Sequence, residues 1–326
     1  MKPLVSAVIT TFNRSASLKM AIESVLQQTF ADFELLILDN NSQDDTERAV
    51  RSFSDERIRY IKHPPLAISG ARNLALKESS TDYIAFLDDD DVWLPNKLFD
   101  QYAAMKEDAT NKVGLVYGAY TQFNEAGHAY ETIYPAKEGD VYEHAVSYRD
   151  TLTGSASNPL LKKSAVLAVG GYDETIKTGE DYEMFLRLAK VYYFKAINAP
   201  VVNIYHYPGY RLGWRLADYL YTEMTVYQKH QDFIKNHPAV EARYLQILGG
   251  KCFRLGRTKE GRKFLKKAFR ITPFYWRLWG QWVLSFLPVR VYQFAHRRAV
   301  MAYYWRKRRE NHANKKINKT ASGLSK

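Results

Sequence analysis

Residues 82–98 read DYIAFLDDDDVWLPNKL, and the abrupt passage from an apolar run into acid decides the fold. Tyr83–Leu87 has the length and composition of a strand buried on both faces. Four aspartates follow at once, Asp88 to Asp91, and then Trp93, Leu94 and Pro95 anchor the chain again. Acidic runs are ordinarily solvated surface or helix caps. This one is delivered by a buried strand to the edge of a sheet. Like charges this close repel, and they are best tolerated where a cation neutralises them. Carboxylate oxygens suit Mg²⁺ or Mn²⁺, which characteristically bridges one or two carboxylates to substrate phosphates. Such an ion would neutralise charge appearing on a diphosphate leaving group, and the metal reading prevails.

Working outward, Val5–Ile9, Glu34–Leu38 and Ile58–Ile61 are further buried strands. Between them Leu18, Ala21, Ile22, Val25 and Leu26 keep helical spacing, as do Ala71, Leu74, Ala75 and Leu76. Asp44, Asp45 and Glu47 stand where another helix begins, as its dipole favours. Strand and helix in alternation predict an α/β fold, a mostly parallel sheet with helices on both faces. Ligands of such sheets bind beyond the carboxyl ends of the strands. Thr10–Asn13, Asp39 and Asp88–Asp91 all lie at such ends.

Further along, short strands are expected at Val113–Tyr117, Tyr120–Phe123, Pro159–Leu161, Tyr192–Ile197 and Val201–Tyr205, with helices at Ser164–Val169 and Asp181–Ala189. Composition shifts near 207–211. Residues 206–326 carry 26 Lys and Arg against 6 Asp and Glu, whereas residues 1–205 carry 21 against 29. This predicts a catalytic domain over 1–208, a basic all-helical region over 209–309 and a disordered tail over 310–326. Residues 239–272 have the pattern of one helical hairpin of tetratricopeptide type. The lone Cys252 excludes a disulfide framework within the chain. No apolar run nears the roughly 20 residues needed to span a bilayer. A cytoplasmic protein is expected, with any peripheral membrane contact on the inner face of the cell membrane.

Three other groups carry candidate chemistry. Glu180 and Asp181 open a helix, where a carboxylate either caps the backbone or takes a proton from an acceptor hydroxyl. Phe12 beside Thr10, Thr11 and Asp39 either belongs to the core or stacks on a base. Arg72, in the first turn of its helix, is either a solvated arginine or a phosphate ligand.

The segments SAVITTFNR, SVLQQTFADFELLILDNNSQDDT, GARNLAL, DYIAFLDDDDVWLPNKL, VGGYDE and GEDYEMFLRL, in this order over residues 4–190, make the chain resemble the family-2 glycosyltransferases with the GT-A fold. The resemblance implies inverting transfer of a sugar from a nucleotide-diphosphate donor, usually a UDP-sugar. The acceptor would be a hydroxyl of a saccharide or polyprenyl-linked saccharide, in cell-surface polysaccharide synthesis. It gives Thr10, Phe12 and Asp39 to the nucleobase and Arg72 to the nucleotide. Asp88 and Asp90 become the two acids of the DXD motif, Asp90 the direct ligand of Mn²⁺ or Mg²⁺. Asp88 and Asp89 approach the ribose or a metal-bound water. Asp181 is the general base with Glu180 beside it, and Gly170–Asp173 form an acceptor-side loop. Two features depart from the pattern. Asp89 stands where the family has a small residue, and His206 falls one position before the family's histidine, which is Tyr207 here.

The segment PFYWRLWGQWVLSFLPVRVYQFAHRRAVMAYYWRKRR interleaves aromatics with arginine. It reads as helices packed with a solvated basic face, or as an interfacial segment drawn to anionic lipid, which would suit a polyprenyl-linked acceptor. Nucleic-acid binding ranks last, because no recognised module accompanies the charge. A nucleotidyltransferase would need a glycine-rich phosphate loop after the first strand, and TTFNRSAS has none. A non-catalytic scaffold would have no use for both acidic motifs.

Overall fold

The computed structural model describes residues 2–124, 126–148, 152–206, 216–274, 276–294 and 298. The chain forms two compact units, Met1–His230 and Gln231–Lys326. The division lies beyond the expected 208/209 boundary because helix α8 (Leu216–Lys229) is fastened to the first unit. Thr222 Oγ1 donates to the Thr178 carbonyl at 2.6 Å, and Lys229 Nζ pairs with Asp173 at 2.6 Å and Glu183 at 2.8 Å.

The first unit is built on a nine-stranded mixed sheet in the order β3-β2-β1-β4-β8-β6-β9-β5, with β7 on β6. Its first half is parallel throughout, formed by β1 (Val5–Thr11), β2 (Phe33–Asp39), β3 (Ile58–Lys62) and β4 (Tyr83–Asp88). The short β8 (Leu160–Lys162) runs antiparallel to both β4 and β6 (Val113–Phe123). Beyond it, β9 (Tyr193–Tyr205) is parallel to β6, while β5 (Val92–Trp93) and β7 (Ala129–Ile133) are antiparallel edges. Of the five short strands expected between 113 and 205, that at Pro159–Leu161 is β8, and the other four are two long ones. Their pairing carries register shifts around Gly118 and Ala119 that absorb the apparent breaks. The shifts depend on close approach: a Cβ on Gly118 would lie 2.6 Å from Val201 Cγ1 and 2.8 Å from the Ala199 carbonyl.

Strand parity sets the two faces. Val5, Ala7, Ile9, Ala85 and Leu87 belong to one core cluster with Leu18, Ile22 and Val25 of α1 (Ser15–Leu26) and Leu98 and Met105 of α4 (Lys97–Lys106). The alternate positions of β4 face the other way, toward α3 (Ile68–Glu78), where Phe86 meets Tyr172 edge-on at 5.8 Å and lies beneath Arg72. All seven residues of β2 are buried, as a strand covered on both faces requires. Because side chains alternate along β4, Asp88 projects to the face of Phe86 and Arg72.

The second unit consists, among the described residues, of α9 (Gln231–Asn236), α10 (Pro238–Arg254), α11 (Thr258–Ile271), α12 (Trp276–Leu284) and a helical stretch over 289–294. The hairpin expected over 239–272 is α10 and α11, closed by buried Leu245, Leu248, Phe253 and Leu265. The tail expected over 310–326 lies outside the described residues.

Candidate active site

Pairing register brings the strand-end residues side by side. Thr11 is opposite Asp39 on β2, and Thr10 is opposite Asp88 on β4. The loop after β1 is then tied to the loop after β2, since Asn13 N donates to Ser42 Oγ at 2.9 Å and Gln43 N to Asn13 Oδ1 at 2.7 Å. Phe12, expected in the core or on a base, is 47% exposed at this edge, so the core reading is excluded. Asp39 is fully buried; it accepts the Ser42 N–H at 2.8 Å and the Tyr60 hydroxyl at 2.5 Å.

Within the acidic run the four carboxylates meet four different environments. Asp88 is the most open, with its side chain 38% exposed and 3.3 Å from Arg72 Nη2. Asp89 is buried, accepting Thr11 Oγ1 at 2.7 Å and Arg14 Nη1 at 3.0 Å. Asp90 takes the same Arg14 nitrogen at 2.6 Å. Asp91 is buried and accepts from Ser157 Oγ at 2.7 Å and Tyr205 N at 3.1 Å, so it holds the loop to its surroundings. Ser157 repays the contact by accepting Asp88 N–H at 3.0 Å, and its carbonyl takes the Trp93 indole N–H at 2.7 Å. Burial pushes the Asp89 carboxyl up to about 6 against the opposing pull of Arg14. Burial, then the charge of Asp88, raises Asp90 and, more strongly, Asp91.

Arg72 is not a solvated arginine. It is 3% exposed, with Nη1 2.6 Å from Glu180 and its guanidinium 5.5 Å from the Tyr172 ring. Burial alone would lower its pKa, but Glu180, Tyr172 and Asp88 outweigh that and hold it charged. Glu180 opens α7 (Glu180–Ala189) after Gly179, whose φ of 72° is the left-handed conformation that glycine adopts without cost. Neither Glu180 nor Asp181 makes a side-chain cap to the helix from the capping position, which Gly179 occupies. Asp181 Oδ1 accepts the Tyr182 N–H at 2.7 Å. Desolvation pushes Glu180 up to about 7 and raises Asp181 as well. The hydroxyl of Tyr172 is buried here without a hydrogen-bond partner among the described residues.

Arg72 thus joins the last carboxylate of β4 to the first turn of α7. Arg14, Ser157 and the anchoring role of Asp91 had no assignment from sequence, and Tyr172, expected in the acceptor-side loop, is found buried against Arg72. A cation following the β1 end by three residues was the available signal for Arg14. His206 follows β9, its ring 5.9 Å from that of Tyr130, and Tyr207 lies outside the described residues.

Six carboxylates, Asp88–Asp91, Glu180 and Asp181, are compensated among the described residues by the two guanidiniums of Arg14 and Arg72. No three acidic, histidine or cysteine side chains among them form a ready-made coordination set. The open Asp88 and the adjacent Asp90, in an acid-rich and partly buried setting, fit a cation that completes its shell with water and phosphate oxygens.

A profile of glycosyl transferase family 2 matches residues 6–169. The chain is 32% identical over 196 residues to Escherichia coli WfgD, a UDP-Glc:α-D-GlcNAc-diphosphoundecaprenol β-1,3-glucosyltransferase, covering 60% of this chain and 73% of that protein. It is 39% identical over 118 residues to E. coli WfaP, of the same described activity, covering 36% of this chain and 46% of WfaP. In structure it resembles residues 1–349 of Staphylococcus aureus TarS, crystallised with UDP-GlcNAc, with a TM-score of 0.60, 16% identity and coverage of 84% and 82%. That likeness establishes the GT-A fold. With the family profile matched over half its length, the chain belongs to glycosyl transferase family 2.

Proposed function

We infer that this glycosyltransferase moves a sugar from a UDP-sugar, with inversion, to a hydroxyl of a saccharide carried on a polyprenyl diphosphate. The observation that carries the reading is the Arg72 bridge, which holds the strand-end Asp88 and Glu180, the first residue of α7, on one guanidinium, with Asp181 next in line. The descriptions of WfgD and WfaP support the donor and acceptor classes.

In this reading Phe12, Thr10 and Asp39 line the nucleobase end, with Asp89 and Asp88 toward the ribose. Arg72 offers its charge to the diphosphate. Asp181 takes the proton from the acceptor hydroxyl as the oxygen attacks the anomeric carbon, and the bond from that carbon to the diphosphate oxygen breaks on the opposite face. Its raised pKa makes Asp181 a stronger base than a solvated aspartate. Glu180, paired with Arg72, keeps the helix start in place. Asp90 and Asp88 would hold Mn²⁺ or Mg²⁺, whose chemistry is neutralisation of the diphosphate charge.

The test is release of UDP from UDP-glucose with a synthetic GlcNAc-diphosphate-lipid acceptor, with Mn²⁺, with Mg²⁺ and with EDTA. Transfer with either ion and loss in EDTA are expected. Asp181→Asn should lower the rate by roughly 10²–10⁴-fold while leaving UDP-glucose binding in place. Full transfer by Asp181→Asn would move the base elsewhere, and transfer undiminished in EDTA would remove the metal.

A further inference from the structure

The second unit presents a surface that sugar transfer does not use. Between residues 261 and 309 the chain carries 13 Lys and Arg and no Asp or Glu, together with 13 aromatic residues. A solvated basic face mixes charges of both signs, because each cation costs less beside an anion. Forty-nine residues without one acid call for an anionic partner instead.

Among the described residues, α11 and α12 carry two adjoining zones. On α11, Lys259, Arg262, Lys263, Lys266, Lys267 and Arg270 fall within an arc of about 140° at 100° per residue. Lys263, Lys266 and Arg270 are exposed, and none pairs with a carboxylate among the described residues. At the edge of that arc α11 meets α12: Phe269 packs against Trp279 at 4.8 Å and Trp282 at 5.7 Å, and Arg262 lies 4.1 Å over the ring of Phe286. Several large apolar side chains of this unit are exposed, Trp279 and Phe286 of this contact among them. Phe274 is 96% exposed, and Trp279, Val283, Phe286, Val291 and Phe294 are between 44% and 63% exposed. Trp279 and Val283 are one turn apart on α12, turned about 100° and 140° from buried Leu278.

Isolated exposed apolar residues are ordinary, but a clustered set rimmed by cations marks an interaction surface. Among the described residues no helix is long and apolar enough to cross a membrane. Aromatic side chains beside Lys and Arg match the headgroup layer of a bilayer, where rings enter the interface and cations meet lipid phosphates. The geometry points to this face as a docking surface for an anionic lipid bilayer, with Phe274, Trp279, Val283 and Phe286 entering the interface and the α11 cations lying on the phosphates.

The experiment is vesicle flotation of the full chain, with neutral phosphatidylcholine vesicles and with vesicles containing 30% phosphatidylglycerol by composition. Flotation with the anionic vesicles, weakened between about 0.1 and 0.5 M salt, is expected. At about fivefold per charge near the surface, Lys263→Gln/Lys266→Gln/Arg270→Gln should lower the partition coefficient on the order of 100-fold. Trp279→Ser/Phe286→Ser should lower it independently, with helicity by circular dichroism confirming that both variants fold. Failure to float, equal flotation with neutral vesicles, or partition unchanged in both folded variants would overturn the assignment. Self-association or RNA binding by this face, without flotation, would do the same. Flotation needs no donor or acceptor, so its outcome is separate from that of the transfer assay.

Discussion

Replacing Arg72 by methionine removes a buried cation while keeping most of the side chain's bulk. Its Nη1 is 2.6 Å from Glu180 Oε1, which sets the charge centres about 4 Å apart. At an effective dielectric of about 20 that pair is worth about 4 kcal/mol, and removing one partner of a buried pair costs roughly 3–5 kcal/mol. The loss depends on pH in a way that identifies its source. Burial already holds Glu180 near 7 in the folded protein, above its unfolded value of about 4.5. A carboxyl raised on folding stabilises only below its unfolded pKa, and that contribution is lost as pH rises toward the folded value. Without Arg72 the folded value rises further, so the penalty continues to grow above pH 7. Urea denaturation should therefore separate Arg72→Met from the parent by under about 1 kcal/mol at pH 5.5 and by about 2 kcal/mol at pH 8.5, the limit set by 1.5 pH units above the parent's folded value at about 1.4 kcal/mol each. Glu180→Gln should rescue most of the loss in the double variant, since no uncompensated charge remains. An equal loss at both pH values, or strictly additive single substitutions, would refute the view that Arg72 acts by compensating Glu180.

Two further outcomes follow from the packing. Gly118→Val forces Cβ to within 2.6 Å of Val201 and should destabilise the first unit by about 3 kcal/mol, read as a lower urea midpoint, with Gly118→Ala milder. His230 is buried, its Nδ1 3.0 Å from the Tyr142 hydroxyl, and desolvation holds its pKa down to about 4. A histidine lowered on folding contributes stability that is complete above pH 6.5 and lost as pH falls toward 4, here about 3 kcal/mol; His230→Gln should flatten that slope in urea midpoints measured across the window.

The parallel half of the sheet was legible because each of its strands carries a short apolar run and ends in recognisable polar residues. The positions of Asp88 and Asp181 were legible for the same reason, one closing a strand and the other lying in the first turn of a helix. The continuity of β6 and β9 was not, because it depends on Gly118 admitting Val201 from a strand more than eighty residues away. Arg72 read alone as a solvated arginine or a phosphate ligand, and its burial was not visible because it comes from Tyr172 and Glu180, a hundred residues further on. Asp91 had no visible role because its partners, Ser157 and Tyr205, come from a loop and a strand end that the sequence separates widely.

The Asp91 contacts also bear on how this protein could be re-engineered. Ser157 links Asp88 N–H to the Asp91 carboxylate, and its neighbour Asn158 bonds both Gly118 and the Thr153 carbonyl. The segment before β8 is therefore stitched at its base to the acidic turn itself. A chimera that imports residues 124–156 from a relative, yet retains Ser157, Asn158 and Asp91, should keep its donor end intact. One that cuts after residue 158 would transplant the fastening along with the loop. The seam for exchanging the segment before β8 lies one residue ahead of Ser157.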